Sequence, residues 1–196
     1  TELKAQSDAL KRYQRFLPML QLKKQQLQLE ISAITAHLET VARETAELQA
    51  AAEAWLALFS EGELSPALVT LEEIVTDQAN IAGVVIPVYR EIRTRCETLD
   101  LFATPAWHDD AQALVEARLA LAARARILEE QRRLITQELT TTSQRVNLFE
   151  KVKIPECREN IRIIRIHLGD EQTAAVARGK LAKKRGGGAA AGEDAA

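Results

Sequence analysis

Sulfur-containing and aromatic side chains are scarce in this sequence of 196 residues. It has two cysteines, Cys96 and Cys157, and aromatic residues make up only 4% of the chain. Two distant cysteines argue against a disulfide framework, lack the spacing of a metal site and fit a reducing compartment. The shortage of aromatic rings argues against nucleic-acid binding, which commonly stacks bases on such rings.

Long apolar runs are absent as well. No stretch approaches the roughly 18 apolar residues that a membrane-spanning helix needs. The polar, charged N-terminal stretch does not have the pattern of a signal peptide. Glycine and proline are few, whereas Ala, Leu, Glu, Gln, Arg and Lys are abundant. This composition is typical of long helices or a coiled coil.

The net charge of -2 hides an uneven distribution along the chain. Residues 1–24 and 145–185 together carry 17 basic and 7 acidic side chains, whereas residues 25–144 carry 9 basic and 19 acidic ones. If the two terminal segments lie together, one end of the molecule is basic and the other is acidic. An ordinary solvated helical surface is the other interpretation of this pattern.

A heptad pattern of apolar residues predicts a first long helix at residues 1–59. From Leu3 to Phe59 apolar side chains recur at spacings of three and four, which is typical of a left-handed coiled coil. Pro18 removes a helical hydrogen bond and clashes with the preceding turn, so we expect a kink or a fresh helix start there. A breaker cluster that begins at Ser60 ends the pattern.

An insert at residues 60–104 is predicted to contain a β-hairpin over about residues 69–92. Two β-branched stretches, from Val69 to Val75 and from Ile81 to Tyr89, are separated by the polar link 77–80. Pro87 predicts an edge strand or a short strand. A two-stranded hairpin is marginal alone, so its apolar face must pack on the helices or bind a partner protein. The candidate partner-binding residues are Ile74, Val75, Ile81, Val84, Val85, Ile86 and Tyr89.

A second long helix is predicted at residues 105–185. Thr104 followed by Pro105 is typical of a helix start. A heptad then runs from Trp107 to Phe149, and the apolar stripe continues one residue late from Ile154 through Leu168 to Ala175. Such a skip lets the seam drift and relaxes the supercoil. The glycine- and alanine-rich residues 186–196 are predicted to be a disordered tail.

These patterns predict a mainly α fold: a long antiparallel two-helix coiled coil, or shaft, with a short mid-chain insert, a β-hairpin or helical. If the helices close near Phe59 and Leu114, the numbers of paired residues add up to about 173. Pro18 then lies opposite Pro155, which predicts a bend in the shaft at that level.

No catalytic, cofactor-binding or metal-binding residues are predicted. His37 and His167 have no second ligand at i+4. The acids that follow His108 suit the first turn of a helix, where carboxylates complement the helix dipole. No glycine-rich loop precedes a Lys-Ser or Lys-Thr pair. The chain is therefore not expected to be an enzyme with its own active site.

Three motifs in order carry a family resemblance. Arg145-Val-Asn-Leu-Phe-Glu, followed by Ile154-Pro, resembles the D subunit of the V/A-type rotary ATPases, and the stretch from Leu10 to Leu27 resembles its bacterial branch. Asn80-Ile-Ala-Gly-Val-Val-Ile-Pro resembles the hairpin of that family. The resemblance covers residues 1–185 and implies a central rotor stalk, present in one copy, that transmits torque without catalysis or a cofactor.

The resemblance also implies partners and a location. In that family the paired termini enter the hexamer of A and B subunits, the mid-chain region binds the F subunit, and the lower end sits on the socket subunit, C or d, above the membrane ring. The chain would then be peripheral at the cytoplasmic face, without inserting into the membrane. Residues 69–92 would contact the F subunit, and the loops near Ser60 and Thr104 would approach the socket. The implied hexamer-contacting residues are Lys4, Lys11, Arg12, Arg15, Arg162, Arg165, Arg178, Lys180, Lys183 and Lys184.

Three alternatives stay open from the residues alone. The F-type gamma subunit shares the helix–insert–helix plan, but its insert is a larger α/β domain than the approximately 45 residues available here. A generic antiparallel coiled-coil scaffold or tether would show the same heptads. A binder of nucleic acid or anionic lipid would use the basic end.

Overall fold

The computed structural model describes residues 2–59, 68–96 and 107–190, with the side chains of 2–53, 68–96 and 107–183. In chain order the elements are helix α1 (Glu2–Phe59), strands β1 (Val69–Ile81) and β2 (Val84–Cys96), helix α2 (His108–Leu148), a π-helix (Phe149–Lys153) and helix α3 (Ile154–Ala190). The chain forms two compact units, Thr1–Gln21 with Gln144–Ala196 and Leu22–Ser143. The predicted mainly α fold with a mid-chain β-hairpin is confirmed.

Within the Leu22–Ser143 unit, α1 and α2 pack along the predicted heptad seam. Leu27, Ile34 and Ile135 are buried in one cluster, and Leu27 and Ile135 are both 0% exposed. Val41 continues the buried line along α1. Burial of an aliphatic side chain of this size stabilises a fold by roughly 1.5–3 kcal/mol. The apolar pattern therefore does form the core of the helix pair.

Two ion pairs show the direction of the helices in this unit. Lys23 on α1 meets Glu138 on α2, and Glu44 meets Arg124. The residue numbers rise on α1 as they fall on α2, so the two helices are antiparallel, as predicted.

The helices pair in a different register from the predicted one. In the other unit the ring of Tyr13 lies 5.0 Å from the ring of Phe149. The residue numbers of this pair add up to 162, those of Lys23 and Glu138 to 161, and those of Glu44 and Arg124 to 168, all below the predicted value of about 173. Interlocking core side chains set this register, and the start of the apolar pattern on α2 does not reveal it.

The predictions made for the prolines need correction. Helix α1 is continuous through Pro18, so no fresh helix starts there. Leu17 and Leu20 beside it are half-buried, and tertiary packing of this kind offsets the cost of an interior proline, about 3 kcal/mol. In the register given by Tyr13 and Phe149, Pro18 lies opposite a residue near position 144. Pro18 therefore does not face Pro155, and the two prolines do not form one weak point.

The predicted one-residue skip appears as the π-helix. The Ile154 N–H donates to the Phe149 carbonyl, five residues back. A π turn holds one residue more than an α turn. The seam is consequently not rotated, and Ile154 and Cys157 are both buried.

The β-hairpin is longer than predicted and turns at another position. Each strand has 13 residues, and the antiparallel pairing begins at Val69 with Cys96. The polar link 77–80, predicted to separate the strands, belongs to β1. Pairing across both strands satisfies backbone groups that this polar stretch would otherwise leave to water.

The turn consists of Ala82 and Gly83. Both have positive φ, 51° and 85°, which is typical of the type I′ turn that matches the twist of a hairpin. The Gly83 N–H donates to the Asn80 side-chain oxygen at 2.9 Å. The Ala-Gly dipeptide is a weaker turn signal than Asn-Gly, which explains why the sequence pattern missed it.

Helix α3 continues to Ala190, past the predicted helix end at Arg185. We call residues 165–183 the α3 extension, because every side chain in that range is exposed. The predicted seam positions Leu168 and Ala175 are therefore not covered by any described part of the chain. The breaker cluster at Ser60, the helix start at Thr104 and Pro105, and residues 191–196 lie outside the described residues.

Candidate interaction surfaces

The inner face of the hairpin is covered by the chain's own helices. Ile86 is 2% exposed and shares a cluster with Leu27 and Ile135. Ile81 and Val84 pack against the same cluster. Ile86 is therefore not available to a partner protein, which corrects its place among the predicted contact residues. The hairpin's apolar face was predicted either to pack on the helices or to bind a partner protein, and the structure shows that it packs on the helices.

The base of the hairpin packs on the start of α2. Leu68 and Val69 are buried with Ala111 in a second cluster. The Thr94 hydroxyl donates to the Glu116 carboxylate at 2.6 Å. The hairpin is thus attached to the helices near both of its ends.

Gln131 links α2 to the middle of the hairpin. Its side-chain amide donates to the Pro87 carbonyl at 2.5 Å. A proline has no N–H but keeps its carbonyl, and a buried carbonyl needs a hydrogen-bond donor. A two-stranded sheet consists of two edge strands, so β2 is an edge strand, as Pro87 predicts, although it is not short.

The tip of the hairpin lies beside an ion pair between the two helices. Lys23 Nζ and Glu138 Oε1 are 2.6 Å apart, and both side chains are less than one-third exposed. A Cβ atom placed on Gly83 would lie 4.0 Å from the same Nζ atom. The lysine that joins α1 to α2 therefore lies close to the turn of the hairpin.

The outer face of the hairpin is charged. Ile74, Val75 and Tyr89 are half-buried, and Val85, at 55%, is the one exposed member of the predicted apolar contact set. Three cross-strand ion pairs lie on exposed positions: Asp77 with Arg90, Glu73 with Arg93, and Glu72 with Arg95. A partner that approaches this face meets mainly charged groups.

A groove of about 760 Å³ separates β1 from α2. Its walls carry four carboxylates and two guanidinium groups, together with Ile74, Thr76 and Ile127. The charged groups are Glu72, Glu73, Glu129, Glu130, Arg126 and Arg133. Across the described parts of the chain, no three His, Cys, Asp or Glu side chains are grouped so as to hold a metal ion.

Sequence reasoning missed the exposed apolar residues of α1. Phe16, Met19, Leu22 and Leu29 are all exposed, Leu29 by 72%. None of them belongs to the heptad seam. Apolar residues that fall outside a predicted seam were the available signal, because the helix pairing gives them no buried position.

The predicted hexamer-contacting residues with described side chains are all exposed. Arg162 forms two hydrogen bonds with Glu159, at 2.9 and 2.6 Å, which lower the pKa of the Glu159 carboxyl and raise that of the guanidinium. The side chain of Lys184 lies outside the described residues. The other exposed members are Lys4, Lys11, Arg12, Arg15, Arg165, Arg178, Lys180 and Lys183.

The end of α3 also exposes apolar side chains. Ile163, Ile166 and Leu181 recur on one side at helical spacing, with Ala174 and Ala177 between them. A helix that carries both basic and apolar exposed residues is typical of a segment that enters a binding site on another protein.

No helix in the described ranges is both long and apolar enough to span a bilayer.

Together, the paired helices, the docked hairpin and the exposed α3 extension define a class of helix–hairpin–helix proteins with several surfaces suited to protein contacts. The chain belongs to the family of ATP synthase D subunits, which it matches over residues 2–184. This confirms the resemblance found in the sequence.

Named relatives agree with this assignment. The V-type ATP synthase D subunit of Borreliella burgdorferi is 42% identical over 182 residues, which cover 93% of this chain and 90% of that protein. The protein of the same name from Chlamydia caviae is 32% identical and covers 90% of this chain and 86% of its own length. That of Chlamydia muridarum is 33% identical, with 87% and 85% covered.

Proposed function

We propose that this chain is the central rotor shaft of a V-type ATP synthase. It transmits torque between a hexamer of A and B subunits and an ion-translocating membrane ring, and it performs no chemistry itself. The observation that carries the proposal is the antiparallel pair of α1 and α2 with the hairpin attached at both ends. Paired helices resist twisting better than a single helix, because each buried layer must shear before the pair can turn.

The α3 extension is the proposed bearing in the hexamer. Its basic residues are exposed along a segment that no described part of this chain covers. A rotating shaft needs many individually weak contacts, and exposed charges supply them, since surface ion pairs contribute about 0–1 kcal/mol each. Lys4, Lys11, Arg12 and Arg15 are proposed to add to this basic surface from α1.

The F subunit is the proposed partner of the mid-chain region. Since the hairpin's inner face is occupied, the available surfaces are Val85, the charged outer face of the hairpin and the exposed apolar residues Leu22 and Leu29 of α1. The socket subunit, C or d, is proposed to meet the loops near Ser60 and Thr104. These contacts would hold one copy of the chain at the cytoplasmic face of the membrane.

Co-purification in mild detergent tests the assembly. A tagged chain is expected to recover A, B and F subunits in a complex with one copy of itself. Reversing three charges of the extension, Arg178→Glu with Lys180→Glu and Lys183→Glu, is expected to weaken recovery of A and B while F is retained. The matched control reverses the exposed Arg43, Arg118 and Arg132 on the helix pair, with the same change in net charge, and keeps all partners.

Two outcomes would contradict the proposal. If the wild-type chain recovers neither A nor B, it is not part of this machine. If it instead forms a stable oligomer of itself, the coiled-coil scaffold is the better description.

Rotation is tested by a reversible cross-link. In an Arg178→Cys variant, oxidation that joins the extension to a cysteine placed in the hexamer is expected to stop ATP hydrolysis, and reduction is expected to restore it. The wild-type chain under the same oxidation keeps its activity. Unchanged hydrolysis in the cross-linked complex would show that the chain is a static tether.

A further inference from the structure

In the unit formed by Thr1–Gln21 and Gln144–Ala196, the spacing between consecutive buried seam residues is irregular at one place. We call each such spacing a step. The seam residues Val146, Phe149, Ile154, Cys157 and Ile161 are buried or half-buried. Their spacings are three, five, three and four residues, whereas a heptad alternates only threes and fours. The step of five coincides with the π-helix, Phe149–Lys153.

An extra residue in a regular α-helix would rotate all the following seam side chains away from α1. Each residue of an α-helix advances the side-chain direction by roughly 100°. Cys157 nevertheless remains 5% exposed, and Phe149 contacts Tyr13 on α1. The wider π turn therefore contains the extra residue without rotating the buried side of α3.

We propose that the π-helix is a one-residue phase insert that keeps the buried side of α3 facing α1, and with it the direction in which each side chain of the α3 extension points. The extension has no cover of its own among the described residues, so its orientation about the helix axis depends on the last buried seam residues, Cys157 and Ile161. An ion pair between Lys153 and Glu156, at 3.0 Å, spans the junction between the π-helix and α3. The proposal concerns the fold of this chain and does not depend on its role in a rotor.

Proline offers a competing explanation, because Pro155 lies two residues after the end of the π-helix. A proline inside a helix removes one backbone hydrogen bond and can itself distort the ladder. The phase insert predicts that the number of residues between Phe149 and Ile154 matters and that the proline does not.

Thiol labelling of the full chain separates these explanations. In a Cys96→Ser background Cys157 is the sole cysteine, so its reaction rate with a thiol reagent reports whether the buried side of α3 still faces α1. Deletion of Glu150 removes the extra residue and restores a step of four. Deletion of Glu150 together with Lys151 shortens the step to three. Three steps of three then follow one another, which does not keep the seam on one side of the helix. Both deleted residues are exposed and lie outside the buried seam, so the two variants differ in the number of residues and not in lost core contacts.

The single deletion is expected to keep Cys157 protected, with a labelling rate within about twofold of the parent. The double deletion is expected to raise the rate by about tenfold or more, since it turns Cys157 towards solvent. Insertion of one alanine after Glu150 is expected to have the same effect as the double deletion. Pro155→Ala is expected to leave the rate unchanged.

Circular dichroism on each variant verifies that the helices are present. The proposal is overturned if the single deletion labels as fast as the double deletion, or if the double deletion and the insertion both stay protected. Rapid labelling of Pro155→Ala would assign the π-helix to the proline instead.

Discussion

The helix pair of the Leu22–Ser143 unit and the α3 extension carry similar apolar stripes, but their burial is opposite. On the helix pair Leu27 and Ile135 are 0% exposed, whereas Leu181 on the extension is 61% exposed. The difference shows that a stripe predicts a helix and a need for cover, but not which chain provides that cover. Apolar residues of the helix pair should stabilise the fold, and those of the extension should matter in assembly.

The largest expected effect comes from truncation in the core of the helix pair. Ile135→Ala is expected to lower the free energy of unfolding by about 2–5 kcal/mol, because it removes buried atoms and leaves a cavity. Leu181→Ala, the matched change on the extension, is expected to stay within about 0.5 kcal/mol. Urea unfolding of both variants measures this contrast. A loss at Leu181 as large as that at Ile135 would mean that the extension is buried in solution.

A glycine pair sharpens the comparison, because the same substitution should have opposite signs. Gly83→Ala is expected to destabilise the Leu22–Ser143 unit by about 1–2 kcal/mol, since its φ is in the left-handed region. Gly169→Ala lies in a helix with nothing within 4 Å of the new methyl group. It should favour the helix by about 0.5–1 kcal/mol. Thermal unfolding and helix content by circular dichroism report the two changes, and equal signs would contradict the assignment of one glycine to a turn and the other to an open helix.

The ion pairs of the two regions should differ by a smaller amount. A double-mutant cycle on Lys23→Met and Glu138→Gln is expected to give a coupling energy of about 1 kcal/mol, because this pair is partly buried. The exposed pair of Arg162 and Glu159 in α3 should give a smaller coupling energy at physiological salt, because solvent and ions screen it. Coupling in the exposed pair that exceeds that of Lys23 and Glu138 would reverse the ranking.

The smallest expected effect is a pH dependence. Hydrogen bonds from Arg162 lower the pKa of Glu159 below 4.5, so its stabilisation of α3 is complete above that value. The stabilisation is lost as the pH falls further, through the lowered pKa of the folded state. A slight loss of helix content below pH 4.5 is expected in the wild type, and it should be reduced in Glu159→Gln. An identical acid titration of the two proteins would show that the pair is without effect.

Much of the fold could be predicted because helical periodicity is a local property. The heptads that cross Leu27, Ile34 and Ile135 were visible in the sequence, and so was the skip before Ile154. The register of the helix pair could not be predicted, since it depends on how the side chains of two distant segments interlock. The turn at Ala82 and Gly83 was missed because it lacks the strong turn residues that mark most type I′ hairpins.

The candidate surfaces were harder to predict than the fold. The apolar character of Ile86 indicated a contact but could not distinguish this chain's helices from another protein. The contact from Gln131 to the Pro87 carbonyl joins residues 44 apart, which no local pattern shows. The exposure of the basic residues was easier to predict than a binding role, since charged side chains seldom lie in a core.

The three ion pairs on the outside of the hairpin have a consequence for hydration. Asp77, Glu73 and Glu72 on β1 each pair with an arginine on β2, so acidic side chains line one strand and basic side chains line the other. A protein that binds tightly to this face must displace water from charged groups, which costs free energy unless its own polar groups replace that water. Charged groups of this kind favour contacts in which water remains between the two proteins. They also help to prevent the edges of this two-stranded sheet from pairing with the edges of other sheets.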